Sequence, residues 1–243
     1  MTWPLSALLT TCLGITLVAQ AESRAISRPQ ALSIVFLYDA SVSVTYLPIA
    51  SDSVLRQVTE WVVEQLRAGD SFRYGFVINR LQLSPRFGAN DLKDFYRAHV
   101  QKAAISDADR FGPSPLWDAL DSVVAVLAKE EGRRAIIVMT DGRSTGNRHG
   151  VNELVNNAKA SRVSIWPVDY SSSEWFQPDE DGRPKIPADL LISIAVETGG
   201  GYIGVPPPLP STMFGPDIEV VFDKTIGPGL KPRIAEVFAA LRR

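Results

Sequence analysis

The stretch "IVFLYDASVSV", residues 34–44, decides how the chain is read. Five apolar or aromatic residues run into Asp39, and Ser41 and Ser43 follow at alternate positions. A continuous apolar run of this length is the pattern of a strand covered on both faces, as in parallel sheets. The charge that ends it falls at the carboxyl end of the strand, where open α/β sheets bind ligands. One carboxylate and two hydroxyls, gathered by the turn that must follow, are hard oxygen donors. They suit Mg²⁺, Mn²⁺ or Ca²⁺ rather than zinc or copper. Taken alone, the same residues also serve as backbone caps in a strand-to-helix turn.

Working outward, a second apolar run, "RAIIVMT" over 134–140, closes in the same way on Asp141-Gly142. Helical spacing of apolar residues predicts helices over 53–66, 91–104, 116–130, 151–161, 188–200 and 230–243. Further strands are expected over 71–79 and 163–168, with a last short one in "GYIGV". A short edge strand over 80–87, marked by Pro85, pairs as a hairpin with the strand before it. Strands alternating with helices imply a doubly wound, Rossmann-like α/β sheet. It is mostly parallel, with one short antiparallel edge strand and helices on both faces. Asp39 and Asp141 then end two buried strands, as two acids of one site would. Such a site is expected at the surface of the strand ends, outside the core.

The chain has 243 residues and a net charge of −2, so no basic surface points to nucleic acid. Its first 21 residues are an apolar run ending in Ala19-Gln20-Ala21, followed by "ESR". That pattern reads as a signal peptide cleaved after Ala21, although no Lys or Arg precedes the apolar run. An uncleaved N-terminal anchor is the alternative. The expected organisation is a signal peptide over 1–21, a flexible mature N-terminus over 22–30 and a single domain over 31–243. The mature protein is exported, periplasmic or secreted, with no membrane insertion after cleavage. Cys12, the single cysteine, lies inside the leader. The mature chain therefore has no disulfide, thiolate metal site or cysteine nucleophile.

Ser114, in "FGPSPLWDAL" (residues 111–120), stands just before a helix. By itself it reads equally as an N-cap with Pro115 at the first helical position. Asp141 by itself reads equally as the first residue of a turn supported by Gly142. In this order and on this architecture, however, the segments resemble a known family. The sequence is similar to a von Willebrand factor type A domain with a metal-ion-dependent adhesion site, of the bacterial secreted kind. The resemblance runs over about residues 32–205 and the final helix. It rests on D-x-S-x-S at Asp39, Ser41 and Ser43, on "TDG" at Asp141, and on "GPSPLWDAL", where Ser114 stands in place of the usual Thr. "IAVETGGGYIGV" matches the closing helix and strand.

The resemblance implies a Mg²⁺ site, or one for Mn²⁺ or Ca²⁺, formed by Asp39, Ser41, Ser43, Ser114 and Asp141. Ser41 and Ser43 would bind directly, Ser114 in at least one state, and the two aspartates directly or through water. Neutral hydroxyls leave the ion's charge largely uncompensated, so a partner protein supplies an acidic side chain to complete the shell. The implied function is non-enzymatic, metal-dependent protein binding. A metal-independent scaffold or assembly subunit is the alternative. A metal-dependent phosphohydrolase is less favoured, because a second Asp is usual where Ser41 stands. No G-x-S-x-G, P-loop or H-E-x-x-H occurs, and His99 and His149 are the only imidazoles, both expected at the surface.

Overall fold

The computed structural model describes residues 30–41, 52–89, 91, 112–169, 188–204 and 227–243. The leader, Ser43 and, apart from Asp91, the helix expected over 91–104 lie outside the described residues. Seven strands are described: β1 (Leu32–Asp39), β2 (Ser71–Ile78), β3 (Arg80–Leu83), β4 (Phe87–Gly88), β5 (Arg133–Thr140), β6 (Val163–Asp169) and β7 (Ile203–Gly204). The helices are α1 (Asp52–Glu64), α2 (Leu116–Leu127), α3 (Val151–Ala160), α4 (Ala188–Glu197) and α5 (Gly227–Leu241).

The strands form one sheet in the order β3-β2-β1-β5-β6-β7. β1 is buried at all eight positions because it has a parallel neighbour on each side and helices over both faces. Its residues alternate between two apolar clusters. Ile34, Phe36 and Tyr38 pack with Ala135, Ile137 and Met139 of β5 beneath α1 and α5. Val35 and Leu37 pack with Ile136 and Val138 beneath α2, α3 and α4. The period of two thus fills two cores from one uninterrupted apolar run.

The expected single edge strand is two segments. β3 and β4 both pair antiparallel with β2. Between them the Ser84 hydroxyl accepts the Tyr74 N–H at 2.9 Å, and the Ser84 N–H reaches the Tyr74 carbonyl at 2.8 Å. A side-chain oxygen stands in the ladder at this point, and Pro85, which has no N–H, follows in the gap. At the other end of the chain, α5 starts at Gly227 instead of 230 and keeps Pro232 inside it.

β2 lies on one side of β1, and β5, β6 and β7 follow on the other. The direction of winding therefore reverses between β1 and β5. Tyr38 pairs with Met139, so Asp39 and Thr140 end these two strands side by side. Ligands of such sheets collect at this crevice.

Candidate metal centre

Asp39 is fully buried, which corrects the expectation of a surface site. Its Oδ1 accepts the Ser41 N–H at 3.0 Å and the Ser114 hydroxyl at 3.1 Å. Its Oδ2 accepts the Thr140 hydroxyl at 2.8 Å, and the Ser41 side chain bonds to the same carboxylate. Burial, and then the neighbouring charge of Asp141, push the Asp39 carboxyl up to about 6. The hydrogen bonds from Thr140 and Ser41 work in the opposite direction and are outweighed. Desolvation and a like charge both disfavour the ionised form, and a bound cation relieves both.

Asp141 is 2% exposed and follows β5 directly. Its Oδ1 accepts the Arg143 N–H at 3.0 Å, while Gly142 turns the chain at φ +73 and donates its N–H to the Thr140 hydroxyl at 2.9 Å. A side chain at Gly142 would be strained in that conformation and would press on Leu191, at 3.1 Å from the ideal Cβ. The glycine of "TDG" is thus needed where Asp141 leaves the strand.

Ser114 is not the N-cap that its sequence context allows. The helix begins at Leu116, with Pro115 in the capping position and no side-chain cap from it. The Ser114 hydroxyl turns to Asp39, and the helix start is capped from another loop. The Ser144 hydroxyl accepts the Leu116 N–H at 2.9 Å and the Asn147 Oδ1 accepts the Trp117 N–H at 2.9 Å. Reciprocally, the Ser144 hydroxyl and the Thr145 N–H both donate to the Ser114 carbonyl, and the Thr145 hydroxyl accepts the Ser114 N–H. The loop after β5 and the loop before α2 are therefore latched together, and each carries one site residue.

Asp118, in the first turn of α2, fastens the far end of the same loop by accepting the Arg148 and His149 N–H groups at 2.9–3.1 Å. Burial works to raise its carboxyl, but these amides and the His149 ring outweigh burial and hold it below the ordinary range. His149 Nδ1 lies 3.1 Å from Asp118, so this imidazole adds a further tie between the loop and α2.

Four of the five expected ligands are thus described, and three of them, Asp39, Ser41 and Ser114, are in direct hydrogen-bond contact. Asp141 is close enough for its charge to act on Asp39. Ser43 lies outside the described residues. Sequence reasoning missed Thr140, whose signal was its place at the end of β5 beside Asp39. It also missed Ser144 and Asn147, which carry no local signal because the helix they cap lies about 30 residues earlier. Among the described residues no group of three or more His, Cys, Asp or Glu side chains is placed to hold a metal. An ion placed here would meet two carboxylates and hydroxyls, an all-oxygen donor set whose chemistry fits a hard divalent cation.

The sequence model of the von Willebrand factor type A domain matches residues 33–181. ATP-dependent DNA helicase II subunit 2 of Coccidioides immitis is 27% identical over 106 residues, which are 42% of this chain and 14% of that protein. Among solved structures, the conserved hypothetical protein BatB of Bacteroides thetaiotaomicron aligns with a TM-score of 0.55 at 16% identity, covering 87% of this chain and 98% of its own. A von Willebrand factor type A protein of Catenulispora acidiphila aligns with a TM-score of 0.55 at 13% identity, covering 86% and 43%. Proximal thread matrix protein 1 of the mussel byssus, with a zinc-occupied MIDAS motif, aligns with a TM-score of 0.52 at 16% identity, covering 84% and 46%. At these identities the likeness is one of fold.

Proposed function

Because this chain belongs to the von Willebrand factor type A domain family, we propose that it is a non-enzymatic protein-binding module whose site captures a partner's carboxylate through a divalent cation. The observation that carries the reading is the convergence of hydroxyls from two loops, Ser41 and Ser114, on a buried aspartate with Asp141 beside it. Such a cluster is costly as a purely structural device, because two buried carboxylates repel each other. A cation turns the same cluster into a favourable one.

Asp39, Ser41, Ser43, Ser114 and Asp141 are the proposed ligands, directly or through water. Thr140 and Ser41 hold the Asp39 carboxylate in place by their hydrogen bonds. Mg²⁺ is the preferred ion on the chemistry of the oxygen donors, with Mn²⁺ and Ca²⁺ as alternatives. The zinc of the mussel protein makes Zn²⁺ a needed arm of any test. With neutral hydroxyls in the shell, the bound ion keeps charge to attract one more carboxylate, and a partner protein is its proposed source. We further propose that residues 31–243 form one such domain behind a signal peptide over 1–21, and that the mature protein is exported. Among the described residues no helix is long and apolar enough to cross a membrane.

Calorimetric titration of the metal-stripped chain tests the reading. Mg²⁺ should bind at one site and raise the melting temperature, contributing about 2.7 kcal/mol at one hundred times its Kd. A peptide with a single Glu should then bind only when the ion is present. Asp39→Asn should lose both, and Ser114→Ala should weaken both. Ion binding undiminished in Asp39→Asn would place the metal elsewhere. Glu-peptide binding that survives EDTA would favour the metal-independent scaffold.

A further inference from the structure

At the opposite pole of the sheet, where β5 and β6 begin, lies a cavity of about 550 Å³. It is separated from Asp39 and Asp141 by the length of β5, roughly 25 Å. Arg133, Arg134 and Arg162 line it together with Ser164 and Trp166, and among the described residues no acidic side chain does. The arginines of this protein that lie elsewhere include several held by carboxylates: Arg73 by Glu130, Arg242 by Asp70 and Arg148 by Asp118. None of the three in the cavity forms an ion pair with a described residue. Arg133 donates to the Leu241 carbonyl at 3.0 Å and Arg134 to the Ala128 carbonyl at 3.3 Å, each out of five available donors. The Arg134 Nε is buried and donates to nothing among the described residues. Pinning two helix ends explains one donor of each and leaves the concentration of positive charge unexplained.

The backbone at Arg162 is the second observation. Four turns lead from a helix to the next strand at this pole, and each contains a residue with positive φ. In three of them that residue is glycine: Gly69 at +92, Gly132 at +81 and Gly199 at +73. The fourth is Arg162, at +53. Glycine adopts this conformation without penalty, and an arginine does so only against steric cost. The strain falls at the one turn of the four whose side chain lines the cavity as a cation, and strain retained in this manner concentrates at binding sites.

From these observations we propose that the cavity binds a compact polyanion of the diphosphate kind. Three arginines line one recess, and arginine donates in pairs to adjoining oxyanion groups. The Ser164 hydroxyl lies in the same wall. This site is independent of the metal centre and uses none of its residues.

Pyrophosphate is the probe, titrated calorimetrically into the full chain in EDTA, at an ionic strength held constant with chloride. Binding should saturate at one site. Arg162→Gly should weaken it about tenfold or more while leaving the melting temperature equal or higher, because glycine relieves the turn as it removes the cation. Arg134→Gln should weaken it by a similar factor. Asp39→Asn, at the other pole, should leave it unchanged. Heat that fails to saturate, or affinity undiminished in Arg162→Gly, would overturn the proposal.

Discussion

Two buried carboxylates bracket strand β1. At its amino end Asp70, 3% exposed, accepts the Leu32 N–H at 2.9 Å and the Arg67 N–H at 2.7 Å, and the Arg242 guanidinium lies 2.6 Å from its Oδ2. At its carboxyl end Asp39 accepts hydroxyls and an amide, and the charge that acts on it is another carboxylate, Asp141. Both acids tie distant segments of chain to the same strand. The first is neutralised within the fold by a residue 172 positions away, and among the described residues the second has no such cation. The difference separates a carboxylate neutralised within the fold from one that, on the proposed function, takes its charge partner from outside.

The comparison breaks most visibly at Arg242. Arg242→Met leaves Asp70 buried without its cation and should destabilise the protein by about 4 kcal/mol, as loss of one partner from a buried pair does. Urea unfolding measures it, and Asp70→Asn combined with Arg242→Met should recover much of the loss. A small effect of the single change would mean that Asp70 is no more dependent on an internal cation than Asp39 is.

The opposite sign is expected at Asp39. In metal-free protein its folded value of about 6 lies above the ordinary 3.8. Between these values the folded state binds more protons than the unfolded one. The associated stability is therefore full below pH 3.8 and is lost as pH rises through about 6. Asp39→Asn removes the penalty and should stabilise the metal-free protein above pH 6 by about 3 kcal/mol. The same substitution should flatten this part of the pH profile, which urea unfolding across pH 4–8 would show. A destabilised, pH-sensitive variant would contradict it.

The smallest effect sharpens the comparison on the side of the metal centre. Asn147→Ala removes the cap from α2 and should cost about 1 kcal/mol. It also loosens the latch between the loops of Ser114 and Asp141, so the affinity for Mg²⁺ should fall while Asp39 itself is untouched. A stability loss with unchanged Mg²⁺ affinity would show that the latch serves the helix alone.

The sheet was legible because β1 and β5 are apolar at positions that face both cores, so each appears as a continuous run ending in an acid. α2 was legible for the same reason, through its buried Leu116, Leu120, Val123, Val124 and Leu127. The family's order of strands and loops was enough to expect Asp39, Ser41, Ser114 and Asp141 near one another at the strand ends, where they lie. Three things were not legible. The burial of Asp39 depends on what the loops place over the strand end. The split of the edge strand depends on a serine hydroxyl replacing a backbone acceptor. The pairing of Asp70 with Arg242, like the capping of α2 by Asn147, joins residues whose separation leaves no periodic trace.

The cap on α2 has a consequence for how the molecule breathes. The first N–H groups of a helix have no acceptor within it and ordinarily exchange with solvent hydrogen unprotected. In α2 the Trp117 N–H is held by the Asn147 side chain, 30 residues ahead in the chain. Exchange of that proton requires this bond to open, so its rate of replacement by deuterium should report how often the loop behind Asp141 and the helix part. One indole-bearing residue, buried at the start of a helix, thus carries a clock for the crevice.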